Sequence, residues 1–176
     1  MHRLFVAIRP PEEVRNQLLD LMQGIPALRW QEDDQLHLTL RFVGEVERPV
    51  ADDLAADLQR VRFEPFTIAL NGVGRFDQRR TGALWAGVGP KDQLKTLAQK
   101  VERACQSAGL PPERRAFHPH ITLARWGRGV PDLSSFIDCH SGLKSAPWEV
   151  REFTLYESRL SRDGAHYEPI AAYPLG

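Results

Sequence analysis

Three features of the sequence predict an α+β fold made of two related lobes with helices packed outside largely antiparallel sheet. Apolar runs of strand length alternate with amphipathic helical stretches in the order β-α-β-α-β-β-α-β-loop-β-β. Strands joined by short glycine-rich connections favour hairpins over a doubly wound parallel sheet. The string His-apolar-Thr-apolar occurs twice, at His37-Leu38-Thr39-Leu40 and His120-Ile121-Thr122-Leu123, with the histidines 83 residues apart in a chain of 176. That spacing is close to half the chain and suggests an internal duplication.

Each element follows from local chemistry. Leu4 to Ile8 is an apolar run closed by Arg9-Pro10-Pro11, where proline stops a strand and pre-sets the first turn of a helix. Val14, Leu18, Leu21 and Met22 then recur at helical spacing before Gly24 and Pro26. A strand is expected over Leu36 to Val43, and a second helix over Val50 to Val61, whose apolar face is Val50, Leu54, Leu58 and Val61. Phe66 to Val73 and Ala83 to Val88 read as strands of a hairpin, joined by a loop from Gly74 to Gly82 that carries Arg75, Phe76, Arg79 and Arg80. Leu94, Leu97, Ala98, Val101 and Cys105 mark a third helix over Asp92 to Ala108, ended by Gly109 and Pro111-Pro112. A strand starts near His120. The Gly-, Pro- and Ser-rich stretch from Gly127 to Pro147 is expected to be mostly loop, with a helical turn at Leu133 to Ile137. Two last strands follow, Val150 to Leu160 and Tyr167 to Ala172.

Composition narrows the classes. Apolar residues are 42% and charged residues 26%, as in a globular domain, and residues 1–176 are read as one bilobal domain. The 23 Lys and Arg balance 23 Asp and Glu, so no global basic field draws in duplex nucleic acid, and any nucleic-acid contact must be local. Lys91, Lys95, Lys100 and Lys144 are the only lysines; the remaining cations are arginines, whose fork suits phosphate. Cys105 and Cys139 form no CxxC pair, which points to a reducing cytoplasm. The first apolar run is too short for a signal peptide or membrane span. There is no GxxxxGK[ST] loop, and no cofactor is implied.

Alternation along a strand puts His37 and Thr39 on one face, with Leu38 and Leu40 on the other, and does the same for His120 and Thr122. Two such strands side by side present two imidazoles and two hydroxyls. One imidazole can take a proton from an attacking hydroxyl or water while the other gives one to the departing oxygen, without a metal. The hydroxyls can donate to non-bridging phosphate oxygens. A lone His-x-Thr-x string is more often packing with a surface histidine; duplication in apolar strand context favours function.

These paired motifs resemble the signature of the two-histidine (2H) phosphoesterase superfamily, and more narrowly the LigT-like RNA 2',3'-cyclic phosphodiesterases, also called 2'-5' RNA ligases. The resemblance extends through Arg3 to Ile8, His37 to Glu45, Pro119 to Arg125 and Phe153 to Ser158. It implies a cleft between two antiparallel sheets, one motif from each. It implies metal-independent hydrolysis of an RNA terminal 2',3'-cyclic phosphate to a 2'-phosphomonoester, with reversible 2'-5' ligation as the same chemistry run with a sugar hydroxyl. It assigns His37 as proton donor, His120 as proton acceptor, and Arg125 with Thr39 and Thr122 to the phosphate.

Other residues are less defined. Strict alternation gives Arg125 the parity of Leu123, away from His120, unless the strand twists. Arg75, Phe76, Arg79 and Arg80 are candidate RNA contacts, with a solvated hairpin tip as the plain alternative. Trp30, Phe42, Trp85, Trp126, Trp148 and Tyr167 are stacking candidates, although aromatics are more often core, and Phe42 shares the parity of Leu38 and Leu40 and is expected inside. His118 and His120 form a His-x-His pair, but with no acidic or cysteine partner at ligand spacing His118 is read as structural or at a cleft rim. His2, His140 and His166 receive no role. Expected partners are an RNA end and nucleotides as cleft ligands, with the protein a monomer away from membranes. The alternatives are a cyclic phosphodiesterase acting on small nucleotides or ADP-ribose cyclic phosphate, and a non-catalytic RNA-binding module.

Overall fold

A computed structural model of the chain describes residues 1–129 and 131–176. The strands are β1 (His2–Ile8), β2 (Arg29–Trp30), β3 (Leu38–Val46), β4 (Phe66–Asp77), β5 (Gly82–Gly89), β6 (His120–Trp126), β7 (Trp148–Val150), β8 (Glu152–Ser161) and β9 (Gly164–Pro174). The helices are α1 (Glu12–Leu21), α2 (Arg48–Leu58), α3 (Asp92–Ser107) and α4 (Ser134–His140). The α+β architecture is the one expected. No helix among the described residues is long and apolar enough to cross a membrane.

The strand order is β7-β4-β5-β6-β3-β1-β8-β9, with β2 added on β6, and every pairing is antiparallel. Two halves are visible in this order. β4-β5-β6 forms one and β3-β1-β8 the other, and they meet at a single pair, Leu38 opposite Ile121. Those two residues hold equivalent positions in the two His-x-Thr-x strings, so the pseudo-twofold axis passes through the seam. Leu36, Leu38, Ile121 and Leu123 are at most 1% exposed and close the core beneath it. Burying each such side chain stabilises the fold by about 1.5–3 kcal/mol.

A register shift recurs on both sides of the seam. β1 pairs Ala7 with Thr39 and Val6 with Arg41, skipping Leu40. β5 pairs Trp85 with Thr122 and Leu84 with Ala124, skipping Leu123. An extra residue of this kind reverses the facing of everything beyond it.

Four local expectations are corrected. The hairpin connection is only residues 78–81, because Arg75 and Phe76 continue β4 opposite Leu84 and Ala83. The stretch after β6 contains the full helix α4, which buries Leu133 and Phe136 and sets Phe136 against the Trp30 ring at 5.9 Å, a tertiary contact that composition cannot show. The strand expected over Val150 to Leu160 is divided into β7 and β8, which pair with different neighbours, β4 and β1. Phe42 is 53% exposed, because the shift at Leu40 turns it off the core face.

Arg41, one step from Phe42, is 8% exposed and ties β3 to α3. Its Nε donates to Glu102 at 2.6 Å, and its terminal nitrogens donate to the carbonyls of Phe42 and Pro111, each at 2.6 Å. Glu102 also accepts from Gln106 and from the Glu113 amide, each at 3.0 Å. Burial pushes its carboxyl up, but the bonds from Arg41 and Gln106 outweigh that and leave it below the usual carboxylate range.

Gly82 opens β5 under the indole of Trp126, whose ring an added Cβ would overlap. Arg75 lies over that same ring, 5.1 Å from its centroid. Gly82→Ala is expected to destabilise the protein by about 1–3 kcal/mol, the cost of forcing extra volume into a packed site; a urea midpoint equal to the parent's would refute this packing.

Candidate active site

Continuing the register one residue either side of Leu38 and Ile121 sets His37 across from Thr122 and Thr39 across from His120. By this register each histidine stands opposite the other string's threonine along the backbone, on the face away from the buried Leu38 and Ile121. The four groups come from sequence positions 83 residues apart and are neighbours only because of this pairing.

The approach to each histidine is anchored. Before His37, a 3-10 turn over Asp33–Gln35 is closed by reciprocal capping between Glu32 and Gln35. Arg9 donates to the carbonyls of Asp33 at 2.8 Å and Leu36 at 3.1 Å, and Arg15 Nε donates to the Asp33 carboxylate at 2.9 Å. Before His120, the bonds of Arg41 and Glu102 to Pro111 and Glu113 serve the same purpose.

The walls are matched as well. His120 meets the ring of Phe76 edge-on at 4.9 Å, and His37 meets Tyr156 edge-on at 4.5 Å. Phe76 lies opposite Ala83 on β4, and Tyr156 lies opposite Phe5 on β8, at equivalent registers of the two halves. His37 is enclosed further by Tyr167 at 5.5 Å and Phe5 at 6.0 Å. The resemblance covers the run that contains Tyr156, yet nothing local marks Tyr156 or Phe5 as a wall of His37.

A cavity of about 790 Å³ opens beside the seam, lined by Thr39, His120, Thr122, Arg125, Phe42 and Phe76 among others. His37 is not among the lining residues; it is 7% exposed and packed against Phe5, Tyr156 and Tyr167. Arg125 does, because the register shift at Leu123 puts it on the face of Thr122, against the parity that strict alternation gives. By the same shift, Phe42 occupies in β3 the position that Arg125 holds in β6. His118 lies at the cavity edge, and its carbonyl meets His120 Nδ1 at 2.6 Å. If His120 Nδ1 carries the proton, Nε2 is left as the free acceptor.

The arginine candidates divide. Arg75 is engaged, donating to Asp77 at 2.7 Å and lying over Trp126. Arg79 and Arg80 are exposed on the hairpin tip. Trp126 is buried and Trp30 packs on Phe136, while Trp85 reaches within 6.2 Å of His120. Among the described residues, no group of three His, Cys, Asp or Glu is arranged to hold a metal ion.

Burial holds both imidazoles toward the neutral form. It pushes His37 down to about 4, aided by the charges of Arg9 and Arg15 and partly opposed by the Gln35 carbonyl. His37 Nδ1 is buried with no hydrogen-bond partner of good geometry. Burial lowers His120 too, opposed by its bond to the His118 carbonyl.

His37 makes stability depend on pH with a defined sign. Unfolded, its imidazole binds a proton near 6.5, and folded only near 4, so between these values the unfolded chain holds more protons. The stability His37 provides is therefore complete above about pH 6.5 and is lost as pH falls to about 4, by about 3 kcal/mol in all. Replacing it in His37→Asn is expected to flatten the acid side of a plot of unfolding free energy against pH. An unchanged slope in that variant would rule out a buried neutral His37.

Comparison with known proteins gives the family and supports the fold. The sequence pattern of the 2'-5' RNA ligase superfamily matches residues 7–162. The chain is 38% identical over 151 residues to a protein of Aeropyrum pernix named RNA 2',3'-cyclic phosphodiesterase, covering 84% of this chain and 85% of that one. The structure of E. coli LigT complexed with 3'-AMP superposes with a TM-score of 0.83 at 31% identity, covering 99% and 98% of the two chains. E. coli LigT complexed with ATP superposes at 0.75 with 30% identity, covering 99% and 98%. The protein belongs to the 2'-5' RNA ligase superfamily, as its paired His-x-Thr-x strands suggested.

Proposed function

We propose that the protein hydrolyses a terminal 2',3'-cyclic phosphate on RNA to a 2'-phosphomonoester, with residues 1–176 acting as one bilobal unit and without a metal. One observation supports the reading: the antiparallel Leu38–Ile121 pair brings two His-Thr sets into pseudo-twofold relation at one seam, and Thr39, His120 and Thr122 line the cavity beside it. Names of relatives agree, and one relative holds a nucleoside monophosphate.

In this reading, Thr39, Thr122 and Arg125 donate to the non-bridging phosphate oxygens and hold the group in line. The His120 imidazole takes a proton from water as the water oxygen bonds to phosphorus. The P–O3' bond breaks, and O3' takes a proton from His37, leaving the phosphate on O2'. A 5'-hydroxyl replacing water gives 2'-5' ligation by the same steps. The chemistry belongs to the cytoplasm, where Cys105 and Cys139 remain free thiols.

His37 takes up the proton it donates from solvent when the substrate binds. Alone, His37 is neutral at neutral pH, and an anionic phosphate beside it favours the imidazolium. The proton gained by His120 and the one lost by His37 then exchange through solvent to restore the starting state.

Turnover of an oligonucleotide ending in 2',3'-cyclic phosphate is expected to survive EDTA and to yield the 2'-phosphate. His37→Ala and His120→Ala are each expected to lose about a thousandfold in kcat while keeping the parent's circular dichroism. A product bearing 3'-phosphate, or inactivation by EDTA, would overturn the assignment. With both free imidazoles lowered from 6.5, the form with one of them protonated becomes scarcer as pH rises. Accordingly kcat/KM should fall from pH 6 to pH 8, and a profile rising across that interval would contradict the acid–base pair.

A further inference from the structure

The cavity is longer than its reacting centre. It follows β6 from the β4–β5 hairpin tip, where Gly82 pairs with Trp126, to His120 and on past His118 to Arg115. There its far wall is α3, which contributes Lys95, Gln99 and Glu102 at spacings of four and three, one stripe of a helix. At about 790 Å³ it lies in the upper part of the range for small-molecule sites and leaves space beyond one terminal nucleotide.

The charges at that end are unevenly committed. Glu102 is occupied by Arg41, Gln106 and the Glu113 amide. Glu113 accepts from the Arg115 amide at 3.1 Å and stands 3.4 Å from Arg115 Nε, an exposed pair of little strength that leaves the terminal guanidinium nitrogens free to donate. Lys95 and Gln99 are exposed on α3. Two cations and an amide therefore border the cavity at a distance along β6 from Thr122 and Arg125. With only four lysines in the chain and no net charge, a cation at this wall is not part of a general basic surface.

We infer that Lys95, Gln99 and Arg115 form a second phosphate subsite, which takes the internucleotide phosphate preceding the terminal nucleotide. The inference rests on the proposed function and narrows its substrate class to RNA ends of two or more nucleotides over cyclic mononucleotides. E. coli LigT complexed with ATP shows that a member of this family binds a ligand with more than one phosphate. Gln99 adds a neutral donor that suits a phosphate diester, and Phe117, half-buried between Arg115 and His118, floors the path between the two phosphates.

The test compares Lys95→Ala, Arg115→Ala and the double variant with the parent. Binding of a fluorescent tetranucleotide ending in 2'-phosphate is set against binding of a nucleoside 2'-monophosphate, and KM is measured for the cyclic forms of both. The double variant should bind the tetranucleotide about tenfold more weakly, with a KM raised to match. Its mononucleotide affinity and kcat should stay within about twofold, and the salt dependence of tetranucleotide binding should drop by about one phosphate contact. Lys95→Arg should retain parent binding. Equal losses on both ligands, or no loss on either, would overturn the subsite. If the parent binds both ligands but hydrolyses neither cyclic form, the proposed function fails while the binding comparison still decides the subsite.

Discussion

The geometry of the site depends on one backbone pairing. Leu38 and Ile121 are the contact between two three-strand halves, and both point into the core at no more than 1% exposure. Hydrophobic burial drives the pairing, and alternation then sets the polar consequence on the opposite face. His37, Thr39, His120 and Thr122 are delivered to one place because their neighbours are insoluble. A slip of one residue would turn both histidines into the core and both leucines into the cleft, so the register is specified by the same apolar packing that stabilises the fold.

The halves are symmetric where they present the motif and differ just beyond it. Both strands carry an extra residue immediately after the threonine, and both imidazoles rest edge-on against an aromatic from a strand of their own half. Past the bulge the halves diverge: β6 presents Arg125 and β3 presents Phe42. Next to these, β3 turns Arg41 inward to Glu102 where β6 has the fully buried Ala124. Burial diverges in the same way. His37 sits deep among Phe5, Tyr156 and Tyr167, while His120 lines the cavity. Two identical residues in related strands thus meet different solvation, which is the condition for unlike proton affinities.

Much of this was legible in the chain. Helices α1, α2 and α3 follow from 3.6-residue spacing of Val14 and Leu18, of Leu54 and Leu58, and of Leu94, Leu97 and Val101, because each must bury one stripe. The two motif strands stand out by duplication, and their face assignment follows from a period of two. What could not be read was anything requiring a partner strand. Phe42 looked like core and Arg125 looked misplaced for the same reason: a bulge is a property of a pair of strands, and β1 and β5 had to be in place before Leu40 and Leu123 could be skipped. The helix α4 was underestimated because its burial is against Trp30, about a hundred residues away.

The sequence by itself determined the class of fold, the element order, the four motif residues and the face they share, since these rest on local periodicity and on a repeated string. Tertiary structure alone decided that His37 packs against aromatics from β1, β8 and β9 while His120 lines the cavity. It decided that Arg125, which the resemblance assigned against strict alternation, lines the cavity, and that Arg75 is engaged by Asp77 and Trp126. The physical reason is common to all of these. Solvation, register and cation pairing depend on which distant side chains come within a few ångströms, and strand pairing across the seam sets that distance where chain separation does not.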